Sequence, residues 1–240
     1  MHVKAVIAYD GSYFKGFQRQ KSTRYTITSH IESALRDLGI PSPIQGSGRT
    51  DAGVHATGQV INFELPEFWQ DLNKLKTVLN RKLNHIQIKH ITPISPDFHA
   101  RFWAKRRIYR YVFKTHPPSL FEAEHVAYYP PFDPHRLNQA LAMFEGEHDF
   151  SYFLKRGSTT HTNVRTIYRA HHRPYHRYHL IYFEANGFLR AQVRLMIDGA
   201  MQVAQGKLTL EQLEAQLSCQ QRYTTRLAPP EGLYLARVIY

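Results

Sequence analysis

Cysteine is nearly missing: Cys219 is the single one in 240 residues. No intramolecular disulfide and no cysteine metal cluster can form. No apolar run approaches ~18 residues, so no membrane-spanning helix is expected. The start, Met1-His-Val-Lys-Ala-Val-Ile-Ala-Tyr9, lacks the length and the cleavage region of a secretory signal. No Gly-Lys-Ser/Thr follows the glycines between Gly46 and Gly53, which excludes a phosphate loop there. Low-complexity segments and short repeats are also absent. Together these absences fit a protein of the reduced cytoplasm with no membrane partner.

Acidic residues are scarce relative to basic ones. Thirty-one Lys and Arg stand against 19 Asp and Glu, a net charge of +12, and 15 His add positive charge in mild acid. That excess draws a polyanion: nucleic acid, an anionic membrane surface or an acidic protein. A length of 240 residues suits one large domain or two small ones.

Hydrophobic periodicity predicts strands and helices in both halves. Val3–Tyr9 reads as a strand ended by the Asp10-Gly11 turn. Ser29 with Glu32 reads as a capping box for a helix carrying Ile31, Leu35 and Leu38. Val60–Leu65 is strand-like, Leu72, Leu75, Leu79 and Leu83 mark a second helix, and Ile86–Ile88 a strand. A soft boundary near residue 100 divides the chain into 1–100 and 101–240. Beyond it, 105–114 and 126–129 are strands and Asp133-Pro134 starts a helix. Residues 168–172 and 178–184 form a hairpin around Arg173-Pro174. Leu189, Val193, Ile197, Ala200 and Ala204 mark a long helix, Leu210–Leu217 a short one, and Leu233–Tyr240 a last strand. Without strict βαβ order this alternation predicts an α+β fold.

Three groups of residues carry chemistry. Gly46-Ser-Gly-Arg-Thr-Asp-Ala-Gly-Val-His55 sets Asp51 beside Arg49 among glycines that permit tight turning and close approach of a large ligand. Asp51 is there either a turn or capping residue or a catalytic carboxylate. Tyr109, Tyr111 and Phe113 share one face of a strand, with Arg110 and Lys114 on the other. Such a face is an aromatic core or a platform for a base. Arg190, Arg194 and Asp198 lie four apart on the polar side of the Leu189–Ala204 helix, either an exposed charged stripe or a site. His171, His172, His176 and His179 do not read as a metal centre. Arg173 and Arg177 interleave them, no Cys or carboxylate lies among them, and the spacing matches no standard zinc pattern. A basic hairpin, exposed or facing RNA, is the expectation, with no metal.

Arg49-Thr-Asp-Ala-Gly-Val-His-Ala56 resembles the signature of the tRNA pseudouridine synthase A (TruA) family. Tyr9-Asp-Gly-Ser-Tyr-Phe-Lys-Gly-Phe-Gln18, Phe98-His-Ala-Arg-Phe102, Tyr109-Arg-Tyr111, Gly146-Glu-His-Asp-Phe150, Phe188-Leu189, Val193-Arg194 and Glu231-Gly-Leu-Tyr-Leu235 follow in the family's order. The resemblance thus covers nearly the whole chain. It implies two similar α/β halves with a mixed, largely antiparallel sheet flanked by helices and an active-site cleft between them. It also implies Asp51 as the catalytic aspartate, Tyr109 as the active-site tyrosine (leaving Tyr111 to the core), and Arg194 as the arginine kept beside the aspartate. Some positions depart from the pattern. Leu195 stands where the family usually has Asn, Asp198 where it has Gly, Phe17 for Trp, Thr28 for Gln, and Leu83-Asn-His-Ile86 for Leu-Pro-x-Asp-Ile. With Asp198 so placed, competition with Asp51 for Arg194 is an open expectation.

The implied activity is isomerisation of uridine to pseudouridine at positions 38, 39 and 40 of the tRNA anticodon arm, by a homodimer. The chemistry is redox-neutral, so no cofactor is expected. Extruding a base from a folded arm needs a basic surface and an aromatic receptacle. Two rivals stand beside this reading. One is a non-catalytic RNA-binding protein that keeps the fold. The other is a glycoside-type hydrolase, which usually wants two carboxylates where only Asp51 has a recognisable setting.

Overall fold

Alternation of apolar and polar residues in the first eight positions makes a strand that buries one face, and every second residue of β1 (His2–Tyr9) is indeed buried. The computed structural model describes residues 1–155, 157 and 161–240. Two units emerge from its contacts, one of Met1–Lys105 with Tyr234–Tyr240, the other of Arg106–Leu233. The architecture is α+β, with a mixed, mainly antiparallel sheet and helices in each unit.

In the first unit β1 lies between β3 (His55–Glu64) and β4 (Ile86–Pro93), antiparallel to both. The short β2 (Gln45–Gly46) pairs antiparallel with β3. β10 (Leu233–Ile239), last in the chain, pairs parallel to β3, setting Tyr234 opposite His55. That pairing returns the C-terminal strand to the first unit. The approach needs Gly58, since a Cβ there would stand 2.3 Å from the Ala236 carbonyl oxygen. Helices α1 (Ile27–Arg36) and α2 (Leu72–Lys82) complete the unit. The cap of α1 is not the expected Ser29. Thr26 caps it, accepting from Ser29 N at 3.2 Å, and the helix starts three residues earlier. Glu32 is instead buried, receiving Ile44 N at 3.1 Å and facing Arg19 at 3.3 Å, which ties the segment before β2 to the helix.

In the second unit β5 (Arg106–Lys114), β9 (Tyr178–Ala185), β8 (Val164–Tyr175) and β7 (Gly146–Asp149) run in that spatial order, antiparallel throughout. β6 (Ala127–Tyr128) joins β5 in parallel. Helix α3 (Pro134–Ala142) starts as expected at Asp133, whose side chain accepts from His135 N and Arg136 N. Helices α4 (Gln192–Ala204) and α5 (Leu210–Leu217) follow. The β8–β9 turn falls at His176-Arg177, not at Arg173-Pro174. His176 takes the left-handed conformation (φ 51) that the tight turn needs, and Pro174 lies within β8 opposite His179.

Candidate active site

Asp51 lies, half-buried, in the connection between β2 and β3. The connection is braced from inside by Gln59, a fully buried residue of β3. Gln59 Oε1 accepts from Ser47 Oγ at 2.5 Å and from Val60 N at 3.1 Å, while its Nε2 donates to Gly48 O at 2.8 Å. Ser47 N also donates to Val60 O at 2.8 Å. On the other flank, Thr50 O accepts from Phe17 N at 3.1 Å, and Thr50 Oγ1 is 2.8 Å from Tyr9 Oη. Val54 N closes the turn onto Asp51 O at 3.2 Å.

Of the glycines around Asp51, Gly53 is the one with a left-handed φ, 76°. Gly46 is required for a different reason: a Cβ on it would stand 2.4 Å from the Phe17 ring. From the neighbouring segment, a Cβ on Gly11 would fall 2.1 Å from Val54 O, and one on Gly16 (φ 110) 3.1 Å from Thr50 O. The first motif and the aspartate motif are thus one packed object. Phe17 is buried in it, and Thr28 secures Phe17 by donating Oγ1 to its carbonyl at 2.7 Å. Both departures from the family pattern are therefore accommodated. His55 ends the connection, buried, accepting Gly11 N on Nδ1 at 3.0 Å and stacked on Tyr234 at 4.7 Å between centroids. Arg49, exposed, reaches Gln18 Oε1 with Nη1 at 2.9 Å. The first unit therefore presents a carboxylate and a guanidinium on one tightly held loop. Rigid support of this kind is what chemistry at a carboxylate requires.

The second unit carries Tyr109 and Arg194. Tyr109 is buried on β5 with its ring edge-on to Phe188, 5.2 Å and 90°. Tyr111, two residues on, is fully buried and donates its hydroxyl to Pro229 O at 3.1 Å. Burial pushes the Tyr111 hydroxyl well above its ordinary range, so it stays protonated. Arg194 sits in the first turn of α4, half-buried. Its Nε donates to Ala228 O at 2.7 Å, and Ala228 N donates back to Arg194 O at 3.1 Å. This reciprocal pair fixes the root of the guanidinium. Burial raises the Glu231 carboxyl, and the Arg194 charge offsets part of that rise.

The expected polar stripe on α4 does not exist. Arg190 precedes the helix and is exposed, because Ala191 (φ 60) turns the chain before Gln192. Asp198 is buried, accepting on Oδ2 from Gln202 Nε2 at 2.6 Å and from Thr224 Oγ1 at 2.8 Å. α4 packs against α3, α5 and the turn at Ser151–Phe153, so a side facing water is not available. Asp198 serves that interior network. In the β8–β9 hairpin, His172 Nε2 and His179 Nδ1 lie 3.0 Å apart beside Phe113 and Phe132. Burial, helped by His179 and His171, lowers His172 to about 4.

Sequence reasoning did not assign roles to Gln59, Tyr9 or Thr50. A polar Gln59 directly before the strand-like Val60–Leu65 was the available signal, since a buried amide needs partners.

Comparison with known proteins covers both units. A family model described as tRNA pseudouridine synthase matches residues 5–103 and 140–240. A tRNA pseudouridine synthase A of Helicobacter hepaticus is 41% identical over 243 residues, spanning 99% of this chain and 98% of that one. One of Campylobacter jejuni is 38% identical over 242 residues and all of both chains, and one of Helicobacter pylori 36% over 241 residues, 99% of this chain and 98% of that one. With the aspartate loop and both units inside these matches, the chain belongs to the tRNA pseudouridine synthase A family of isomerases.

Proposed function

We propose that this protein converts uridine to pseudouridine at positions 38, 39 and 40 of the tRNA anticodon stem-loop, acting as a cytoplasmic homodimer in which one subunit grips the tRNA body for the other. Asp51 acts as the nucleophile or base that releases uracil from its ribose. Tyr109 stacks on or hydrogen-bonds the uracil, Arg194 orients the Asp51 carboxylate, and Arg49 contacts the RNA. The single observation that carries this reading is the bracing of the Asp51 loop by Gln59, Thr50 and Phe17. A carboxylate that merely capped a turn would need no such scaffold, and a non-catalytic RNA binder gains nothing from holding a negative charge toward a polyanion. The net charge of +12 supports an RNA substrate.

The test is incubation of purified protein with an unmodified tRNA transcript, followed by pseudouridine mapping and a binding titration. Wild type should form pseudouridine in the anticodon arm. Asp51→Asn should bind tRNA about as well and form none, since Asn keeps the size but cannot act as nucleophile or base. Turnover near wild type in Asp51→Asn would remove the assignment. Binding without any product from wild type would favour the non-catalytic reading.

A further inference from the structure

Within the second unit a cavity of about 250 Å³ is lined by Tyr152, Leu154, Lys155, Leu195, Arg222, Thr225 and Leu227. Its two walls are tied together by the fully buried Gln216 of α5. That amide donates to Tyr152 O at 3.3 Å on one wall and to Thr224 O at 3.1 Å on the other. Its oxygen accepts from Tyr223 N at 2.8 Å and Thr224 N at 2.9 Å. Asp198 holds the second wall again through Thr224 Oγ1. Both positions at which α4 departs from the family pattern therefore bear on this cavity: Leu195 lines it and Asp198 secures its wall.

The chemistry of the lining is specific. Leu154, Leu195, Leu227 and the Tyr152 ring give an apolar body, and no carboxylate is among the lining residues. Arg222 lies over the Tyr152 ring at 4.9 Å and donates Nη2 to Ser151 O at 2.9 Å. A phosphate would want several converging donors and no leucines. A flat, largely apolar ring matches the leucines and the Tyr152 ring, and the cations Lys155 and Arg222 suit its attachment to a polyanion.

We propose that this cavity receives a nucleobase of the RNA substrate other than the reacting uridine, with the attached phosphodiester toward Lys155 and Arg222. The proposal rests on the function proposed above, which gives the reacting uracil to Tyr109 and Arg194, neither of which lines the cavity. Thr225 is exposed at the edge, so Thr225→Trp fills the opening without disturbing the core. Arg222→Gln removes the charge set toward the phosphodiester.

Each variant should weaken binding of an unmodified tRNA transcript about tenfold, the scale of one stacked base, while thermal melting reports an intact fold. Wild-type protein irradiated with a transcript carrying 4-thiouridine should give cross-linked peptides containing Tyr152 or residues 222–227. Affinities within twofold of wild type for both variants, or cross-links confined to other peptides, overturn the proposal. Pseudouridine mapping on wild type separates the two readings. Product formation with unchanged variant affinities removes the cavity proposal alone, and weakened affinities without any product remove the proposed function alone.

Discussion

At the scale of single residues, this protein's site depends on polar side chains satisfied in the interior. Gln59 serves three backbone and side-chain groups of the aspartate loop. Gln59→Ala should cost about 1–3 kcal/mol of stability by removing the amide bonded by Ser47 Oγ and Gly48 O. It should lower the single-turnover rate more than it lowers tRNA affinity, because the loop loses its set position. Chemical denaturation with single-turnover kinetics checks both, and unchanged kinetics would show that the brace is purely structural. Asp198 has a different outcome from a surface residue. Asp198→Gly removes the acceptor shared by Thr224 and Gln202, whose side chains keep their bond to each other, and adds a helix-interior glycine that costs about 1 kcal/mol by itself. A lowered melting temperature is expected, with tRNA binding weakened along with it. By contrast, Arg194→Lys keeps charge but loses the Nε donor to Ala228 O and the planar fork. It should impair single-turnover rate at saturating enzyme far more than binding. A Lys variant as fast as wild type would assign Arg194 to the packing of the 228 segment alone.

At the scale of elements, the β8–β9 hairpin carries the clearest pH response. His172 titrates at about 4 in the fold, below the ordinary 6.5, and burial also lowers His179 and His171. Between those values the unfolded chain holds more protons than the folded one, so stability is fully present above about pH 6.5 and is lost as pH falls toward 4. The melting temperature should therefore drop between pH 7 and 4.5. His172→Asn should start lower at pH 7, having lost the contact with His179, and show a flatter pH profile. A wild-type profile that is flat over this range would mean the hairpin opens to water.

At the scale of the whole molecule, the charge of +12 governs the encounter with RNA. Lys and Arg release counterions on binding, so tRNA affinity should fall at least about tenfold between 50 and 200 mM salt. Filter binding across that range measures the slope, and a salt-independent affinity would point to a partner that is not a polyanion. Turnover in a strong chelator, on a tRNA that folds without added magnesium, should match turnover without it. Zinc restoring activity lost in chelator would overturn the reading of the histidine hairpin.

The order of strands and helices was legible in the sequence because apolar periodicity reports which face of each element is buried, and α2, α3, α5 and β5 follow their patterns closely. The family was legible too, since its motifs are runs of fixed residues spread along the chain. Tyr111 as a core residue followed from the same motifs. What sequence alone left undetermined depends on partners distant in the chain. Whether Asp198 faces water or the interior is set by Thr224, 26 residues away, which a helical repeat cannot register. The cap of α1 and the turn of the hairpin moved because Thr26 rather than Ser29 fits the extended cap geometry and because His176 accepts a left-handed backbone. Gly46 and Gly58 look interchangeable with any flexible glycine until Phe17 and the Ala236 carbonyl are placed against them. Local pattern determined the elements; only tertiary packing, which brings distant groups within hydrogen-bonding distance, decided which polar residues are buried and what holds the aspartate loop.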